Sequence, residues 1–412
     1  MDTLLRSHAD QIIRASITAV LPDEAVKRAL EGQNFPGRVL LVAAGKAAWQ
    51  MAKAAYDFWG ERIENGVVVT KYDHVMGPIG NFRCYEAGHP VPDENSFKGT
   101  QAALELVSDL TENDTVLFLL SGGGSALFEK PLVSGETLQD ITGQLLACGA
   151  DIVEINTIRK RLSAVKGGRF AQVCAPAKVF SIVLSDILGD PLDMIASGPA
   201  VPDTSTCQQA VAIAKKYDLK LSDSAWALLE QETPKSLDNV TTQINGSVKE
   251  LCVAAAAACR ELGYEPIMLT DQLCCQAKEA GSFLASVLKT HAGGGKNLAF
   301  LAGGETVVHL TGKGKGGRNQ ELALSAAAGI AGISGAAVFS VGSDGTDGPT
   351  DAAGGYVDYQ TAAELKAQGI EIYDVLQQND AFHALQKVGG LVMTGPTGTN
   401  VNDVAVALLK AE

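Results

Sequence analysis

The sequence lacks an excess of positive charge. Its 412 residues include 33 Lys and Arg against 47 Asp and Glu, which gives a formal net charge of −14 at pH 7. A protein that neutralises nucleic-acid phosphates needs a basic surface, so we expect no nucleic-acid partner. An acidic surface also repels anions. An anionic substrate therefore requires Lys or Arg side chains placed locally in its binding site.

The sequence also lacks long apolar runs and paired cysteine motifs. No apolar stretch approaches the roughly 18 residues of a membrane span, and the start MDTLLRSHADQII carries charges where a signal peptide is apolar. The eight cysteines form no CxxC and no zinc-ligand spacing with His. Most lie among apolar residues, as reduced cytosolic thiols do. We therefore expect a soluble cytoplasmic protein with no membrane partner.

Short apolar runs alternate with longer amphipathic stretches through most of the chain. We predict strands at residues 38–43, 66–70, 115–120, 178–184, 265–269, 298–301, 305–310 and 338–341. We predict helices at residues 4–20, 47–58, 95–110, 137–163 with a break near 149, 247–262, 276–291 and 319–330. This order is typical of α/β proteins with mostly parallel sheets covered on both faces. The sequence therefore predicts two α/β domains, at residues 1–240 and 250–412.

Two turns that contain glycine follow predicted strands in the first half of the chain. In the first, the glycine lets backbone approach a ligand, and the following helix favours an anion at its N-terminus. Lys46 lies in this turn, where the helix dipole disfavours a cation, which suggests an anionic partner. The second turn offers backbone N–H groups and a hydroxyl suited to phosphate oxygens, from Gly122, Gly123, Gly124 and Ser125. Ligands bind beyond the carboxyl ends of parallel strands, so both turns are candidate sites.

Two acidic residues follow the predicted strand at 178–184. Asp186 and Asp190 are candidate Mg²⁺ ligands, because this ion takes one or two carboxylates and keeps waters and phosphates as its other ligands. The sequence contains no Walker A pattern, GxxxxGK[ST], and no GxSxG elbow for an acyl nucleophile. We therefore expect neither a P-loop nor an acyl-transfer site.

Another candidate region begins at Glu305, the first residue of a predicted strand. A Lys-rich run of glycines then leads to Arg318, which stands at the start of a predicted helix. Arginine can bind a carboxylate or a phosphate through two parallel hydrogen bonds. Gly312, Gly314 and Gly317 match GxGxxG formally, but a run so rich in glycine matches this pattern easily.

The segment 342–354 carries several acids after a predicted strand. It lacks the Glu at the twelfth position of an EF-hand loop, so we do not expect Ca²⁺ binding. Its hydroxyls and carboxylates suit a polyol or a metal instead. We assign substrate binding to Asn319, Ser343, Asp344 and Asp347. His89 and the segment 394–403 are lesser candidates for lining the site.

The motifs occur in an order that resembles one known family. They read AAGKAA, GHPVPD, LSGGGSAL, INTIRKRLSAVKGGR, VLSDILGDPLDMIASGP, LAGGETVV, GKGGRNQELAL, SVGSDGTDGPTDAAG and TGPTGTNVNDV. Together they closely resemble the glycerate 2-kinase family, whose C-terminal module is called MOFRL. The resemblance extends from about residue 13 to residue 408, and the ordered set is far more specific than any single motif.

The resemblance implies a fold, an activity and site residues. It implies a Rossmann-like N-terminal domain, a MOFRL-type C-terminal domain and an active site in the cleft between them. It implies transfer of the ATP γ-phosphoryl group to glycerate, giving 2-phosphoglycerate and ADP. The family's essential lysine matches Lys46 and its essential arginine matches Arg318. Asp186 and Glu305 match further positions expected to face the cleft. We assign ATP binding to Glu305 and the turn at 122–125.

Phosphoryl transfer requires positioning and charge neutralisation more than covalent chemistry. We therefore expect Lys46 and Arg318 to bind the glycerate carboxylate or the transferring phosphoryl group. Asp186 and Asp190 are expected to hold Mg²⁺. Either Asp186 or Asp344 could orient or deprotonate the acceptor hydroxyl, and the sequence does not choose between them.

Two other functions stay open at this point. An NAD(P)-dependent hydroxypyruvate reductase, a name that some relatives carry, needs GxGxxG in an early βαβ unit, and the early turns do not match. A sugar-acid-binding sensor would bind glycerate without consuming ATP, but the sequence shows no DNA-binding helix and no basic face. A homodimer is a further expectation, although no motif determines the oligomeric state.

Overall fold

The computed structural model describes residues 1–411, which form two compact units. The N-terminal unit comprises Pro22–Ser185 and Asp190–Asn245. The C-terminal unit comprises Met1–Leu21, Asp186–Gly189 and the residues from 246 onward. This division differs from the contiguous domains at 1–240 and 250–412, because the start of the chain and a short segment after residue 185 pack with the C-terminal unit.

The first helix, α1 (Thr3–Ala19), explains where the start of the chain packs. The Asp2 side chain accepts hydrogen bonds from the first helical N–H groups and so caps the helix. Leu5, Ile12 and Ile13 recur at helical spacing and are buried in a core made otherwise of C-terminal unit residues.

The N-terminal unit is built on a six-stranded sheet. Its strands are β1 (Val39–Ala44), β2 (Ile63–Lys71), β3 (Arg83–Ala87), β4 (Thr115–Leu120), β5 (Lys178–Leu184) and β6 (Val240–Gly246). They lie in the order β3-β2-β1-β4-β5-β6, and the pairs β3–β2, β2–β1, β1–β4 and β4–β5 are parallel. This order is that of the dinucleotide-binding fold, and it reverses between β1 and β4.

Helices surround this sheet and form a second cluster beside it. They are α2 (Pro22–Leu30), α3 (Ala48–Trp59), α4 (Glu94–Leu106), α5 (Gly124–Leu127), α6 (Gly135–Ala147), α7 (Ile152–Arg161), α8 (Arg169–Cys174), α9 (Cys207–Lys216) and α10 (Asp223–Leu229), with 3₁₀ turns at Gly60–Arg62 and Ile195–Ser197. Helices α2 and α3 pack on one face of the sheet. Helices α6, α7, α9 and α10 bury their apolar faces against one another.

The C-terminal unit contains a second six-stranded sheet. Its strands are β7 (Glu265–Leu273), β8 (Leu298–Gly304), β9 (Ala336–Gly342), β10 (Gly354–Asp358), β11 (Leu391–Val392) and β12 (Asp403–Leu409). They lie in the order β11-β10-β9-β12-β8-β7. Only β7–β8 is parallel, and the other pairs are antiparallel. The expectation of mostly parallel sheets is therefore confirmed for the first sheet and wrong for the second, where β10 follows β9 without a crossover helix.

The second sheet is covered by helices on both faces. The helices are α11 (Val248–Glu261), α12 (Ala277–His291), α13 (Arg318–Ile330), α14 (Thr361–Ala367), α15 (Ile372–Gln377) and α16 (Ala381–Lys387). In β12, Val404, Val406 and Leu408 pack towards α1 and α11, whereas the alternate residues pack towards α12 and α13. Within residues 1–411 no helix is both long and apolar enough to cross a bilayer.

One predicted strand is absent. Residues 305–310 form only an isolated bridge, between Val307 and Gln276. The side chains of Val307 and Leu310 are 54% and 78% exposed, so their apolar character reflects no packing against a sheet. Five strands of the structure were not predicted from the sequence: β3, β6, β10, β11 and β12.

Candidate active site

Two turns interlock at the point where the strand order of the first sheet reverses. The turn after β1 contains Gly45 and Lys46, and the turn after β4 begins at Ser121. The Lys46 N–H donates to the Gly122 carbonyl at 2.9 Å, and the Ala47 N–H donates to Ser121 Oγ at 3.0 Å. A Cβ atom on Gly45 would lie 2.2 Å from Ser121 Oγ, so only glycine permits this approach.

A histidine and a lysine both approach the glycine turn after β4. A Cβ atom on Gly123 would lie 3.0 Å from His89 Cδ2 and 3.2 Å from Lys46 Cγ, and the φ angle of Gly123 is +85°. Burial lowers the pKa of His89, and the charges of Lys46 and Lys71 lower it further. A neutral imidazole therefore lies near the aliphatic part of the half-buried Lys46 side chain. From the sequence, His89 was predicted only as a lesser candidate for lining the site.

A half-buried arginine and a buried lysine hold the far end of this turn. The Ser125 carbonyl accepts from Arg159 Nη2 at 3.0 Å and from Lys166 Nζ at 2.8 Å. Both cations lie near the buried Glu129 carboxylate, at 3.8 and 3.3 Å. Burial lowers the pKa of Lys166 to about 8, although Glu129 opposes the shift. Two basic residues of the INTIRKRLSAVKGGR motif, Arg159 and Lys166, thus support the turn at 122–125.

The Ser125 hydroxyl lies 3.2 Å from Ser197 Oγ, which donates to Asn156 Oδ1 at 3.1 Å. Ala196 and Ser197 have φ angles of 51° and 60°, the left-handed region that costs non-glycine residues energy. The ASGP part of the motif thus places a strained, buried hydroxyl against the glycine turn.

The two acids after β5 are both half-buried. Asp190 adopts a φ angle of 51°, and its Oδ1 atom is buried without a hydrogen-bond partner. An orphaned carboxylate oxygen of this kind fits a cation ligand. In the described part of the chain, no three His, Cys, Asp or Glu side chains group as a metal site. Mg²⁺ does not require such a group, because waters and phosphates complete its shell.

In the C-terminal unit, Arg318 is the first residue of α13 and forms a three-point ionic network. Its Nε and Nη2 atoms donate to the Asp403 carboxylate at 2.5 and 3.0 Å. Its Nη1 atom lies 3.1 Å from Glu305 Oε1, and the other Glu305 oxygen accepts from Asn402 Nδ2 at 3.1 Å. The sequence predicted Arg318 and Glu305 as site residues, whereas Asp403, the partner of Arg318, was only the last residue of the lesser candidate segment 394–403.

The acid–base states of this network follow from burial and charge. Burial raises the pKa of Asp403, although its hydrogen bonds with Arg318 oppose the shift. Burial lowers the pKa of Arg318, but the hydrogen bond and charge of Asp403 and the charge of Glu305 outweigh burial and raise it above its ordinary value. The guanidinium is therefore a fixed positive charge, one-third exposed.

Three of the four residues assigned to substrate are buried: Asn319, Ser343 and Asp347. Asp347 accepts hydrogen bonds from the backbone N–H groups of Asn319 and Gln320, at 3.1 and 2.9 Å, and so satisfies the N-terminus of α13. Ser343 Oγ accepts from the Val401 N–H at 2.8 Å. These side chains already have partners within the protein, which indicates a positioning role. The fourth, Asp344, is half-buried.

A cavity of about 720 Å³ opens beside Arg318 within the C-terminal unit. Its apolar wall is formed by Leu188, Val307, Val308, Leu310, Pro349 and Ala381. Its polar wall is formed by Glu305, Thr306, Arg318, Glu321 and Asn379, with Cys274 also on its surface. The sequence singled out only Glu305 and Arg318 among these, because the other side chains come together from distant segments.

Two separate segments of the chain match two family models. Residues 8–230 match a family described as a domain of unknown function, DUF4147. Residues 298–403 match the MOFRL family. The first match covers the N-terminal unit almost completely, and the second contains the Arg318 network.

Relatives of known name match over nearly the full length. A D-glycerate 2-kinase of Thermotoga maritima is 55% identical over 411 residues, which span 98% of each chain. A glycerate 2-kinase of Pyrococcus horikoshii is 41% identical, over 97% of this chain and 94% of its own. A putative hydroxypyruvate reductase of Agrobacterium vitis is 38% identical, over 99% and 95%.

Two crystal structures share the fold. A glycerate kinase from Thermotoga maritima gives a TM-score of 0.94 with 54% identity, over 99% of this chain and 100% of its own. A protein from Pyrococcus horikoshii gives a TM-score of 0.95 with 40% identity, over 100% and 99%.

Proposed function

The chain belongs to the glycerate 2-kinase family with a C-terminal MOFRL domain, and from this premise we propose that it transfers the γ-phosphoryl group of ATP to glycerate, giving 2-phosphoglycerate and ADP. The observation that carries the proposal is the interlocked pair of turns after β1 and β4. It brings Lys46 beside a glycine turn at the topological switch point, where such sheets bind ligands.

The N-terminal unit supplies anion-binding groups in this proposal. The backbone N–H groups of half-buried Gly122 and Gly123 and of buried Gly124 bind phosphate oxygens, and the Ser125 hydroxyl adds a further donor. Lys46 contributes a cation beside them, which an acidic protein needs in order to hold a polyanion. Because His89 is neutral in this environment, it acts as a hydrogen-bonding group rather than as a second cation.

The C-terminal unit supplies Arg318, whose guanidinium neutralises the charge that spreads over the transferring phosphoryl group or binds the glycerate carboxylate. Asp403 and Glu305 hold the guanidinium plane in place, so little ordering cost remains when the substrate binds. Asn319, Ser343 and Asp347 fix the start of α13 and the loop after β9. The proposal therefore assigns roles in turnover to residues of both units.

We propose Asp190 and Asp186 as the residues that hold Mg²⁺. The buried Asp190 oxygen without a partner supports the assignment. The bound ion would neutralise phosphate oxygens of ATP. Asp186 and Asp344 remain the two candidates to orient or deprotonate the acceptor hydroxyl, and both are half-buried. We further propose that the protein acts in the cytoplasm as a homodimer.

A hydroxypyruvate reductase is less well supported. The glycines at 312, 314 and 317 are not preceded by a strand, since residues 305–310 form none. A Cβ atom on Gly312 or Gly314 would lie within 2.6 Å of backbone at residues 378–380, so these glycines serve close packing within the protein. Neither feature fits a dinucleotide-binding turn.

Paired assays of the purified protein test the proposal. With ATP, Mg²⁺ and D-glycerate we expect steady release of ADP that stops when glycerate is omitted. With hydroxypyruvate and NADH we expect no loss of absorbance at 340 nm. Steady oxidation of NADH, without glycerate-dependent release of ADP, would replace the kinase with the reductase.

A further inference from the structure

The cavity beside Arg318 does not match a small acid in size or in chemistry. Its volume of about 720 Å³ lies in the range of pockets that hold drug-sized ligands, and a three-carbon acid would leave most of it empty. Its wall is largely apolar, whereas glycerate carries an oxygen on every carbon. Val307 and Leu310 are 54% and 78% exposed and line this cavity, so apolar surface is available to a ligand there.

The polar groups of the cavity provide a second, independent observation. Thr306 is only 4% exposed, and its Oγ1 atom is buried without a hydrogen-bond partner. Glu321 is also 4% exposed and accepts a hydrogen bond from Asn379 Nδ2 at 3.2 Å. All three residues line the cavity. A few convergent polar groups within an apolar wall are the features that bind and orient a flat heteroaromatic ring.

We infer that this cavity in the C-terminal unit binds the nucleoside portion of the nucleotide, with the base between the apolar side chains and within reach of Thr306, Glu321 and Asn379. The inference rests on the proposed function, because it assigns a site to the phosphoryl donor. Arg318 lies on the same cavity, and the inference assigns its guanidinium to the phosphate end of the bound nucleotide.

Cysteine alkylation of the unmodified protein tests the site directly. Cys274 is exposed and lies on the cavity, whereas Cys148 is exposed at the end of α6 and serves as the internal control. We expect adenosine and ADP to slow the alkylation of Cys274 by iodoacetamide about tenfold and to leave Cys148 unchanged. Glycerate alone should change neither rate.

Three other outcomes of this alkylation experiment would each contradict one claim. If glycerate alone protects Cys274 and adenosine does not, the cavity binds the acid. If adenosine has no effect on a protein that consumes ATP and glycerate, the base binds elsewhere and only the kinase proposal stands. If adenosine protects Cys274 but glycerate is never phosphorylated, the kinase proposal falls and the nucleoside site stands.

Kinetics of surface variants provide a second measurement. Leu310→Asp changes an exposed side chain on the cavity and should raise the KM for ATP about tenfold, with the KM for glycerate unchanged. Phe283→Asp, at an exposed apolar position on α12 outside the cavity, is the matched control and should change neither constant. A rise in the KM for glycerate alone would contradict the assignment.

Discussion

At the scale of single residues, the proposed phosphoryl transfer depends on two cations, Lys46 and Arg318. Lys46→Ala and Arg318→Ala should each lower kcat by about a thousandfold or more, because each removes a charge that stabilises the transferring phosphoryl group. Lys53→Ala, on the exposed face of the helix that follows Lys46, should retain normal turnover. Near-normal rates in either cation variant, with an unchanged circular dichroism spectrum, would remove that residue from the mechanism.

Asp347, which accepts hydrogen bonds from the first turn of α13, should make stability depend on pH. Burial raises the pKa of Asp347 from 3.8 to about 6. Between about pH 4 and pH 6 the folded protein therefore binds more protons than the unfolded chain, and the free energy of unfolding falls as the pH rises. Relative to Asp347→Asn, the wild-type protein should lose up to about 3 kcal/mol between pH 4 and pH 7. A difference between the two proteins that stays constant in urea unfolding at both pH values would contradict this.

The sequence shows where strands end, because that signal is local, but it does not show contacts between distant segments. Lys46 and Gly122–Gly124 follow apolar runs directly, so their position after strands could be predicted, and their roles stay predictions. Asp347 accepts hydrogen bonds from the backbone N–H groups of Asn319 and Gln320, and its assignment to substrate stays a prediction. No local pattern reveals such a contact, and the same holds for Asp403, which holds Arg318 from the last strand.

At the scale of elements, the crossing of α12 and α13 leaves no room for a side chain at Gly281. A Cβ atom there would lie 2.1 Å from the Leu322 carbonyl oxygen. Gly281→Ala should therefore destabilise the protein by about 1–3 kcal/mol, despite the better helix propensity of alanine. Because α13 begins at Arg318, the shift should also lower turnover.

Gly143 in α6 is the matched control, since nothing lies within 4 Å of its Cβ position. Gly143→Ala should stabilise the protein by up to about 1 kcal/mol. Thermal unfolding of both variants measures the contrast. Equal stability of the two alanine variants would contradict the close crossing.

Strands were predicted correctly from the sequence where they are buried on both faces of the sheet and preceded by a helix. β1, β4 and β5 are continuous apolar runs, and each was found. The predicted strand at 305–310 failed because its apolar side chains line a cavity rather than a sheet. β3 is a partly exposed edge strand with a polar sequence, so its signal was too weak to detect.

At the scale of the whole molecule, the first helix belongs to the last part of the chain. Ile12 is fully buried in the core that α1 shares with α11 and the second sheet. Ile12→Ala should lower the free energy of unfolding by about 2–5 kcal/mol. Leu4→Ala, at a position 48% exposed on the same helix, should cost far less.

Hydrogen exchange shows where that destabilisation acts. Ile12→Ala should reduce protection in β12 and leave β4 protected, because α1 packs with the C-terminal unit. Equal loss of protection in both strands would contradict the division. The sequence placed α1 in the first domain because contiguity is the natural assumption, and only the tertiary packing shows otherwise.

The central claim is that this molecule moves a phosphoryl group from ATP to a carbon-2 hydroxyl, and ³¹P NMR of the reaction product tests it most directly. The protein should be incubated with ATP and Mg²⁺ and with each glycerate enantiomer in turn. The account predicts equal growth of the ADP and 2-phosphoglycerate resonances with at least one enantiomer. A 3-phosphoglycerate resonance, or unchanged ATP with both enantiomers, would contradict it.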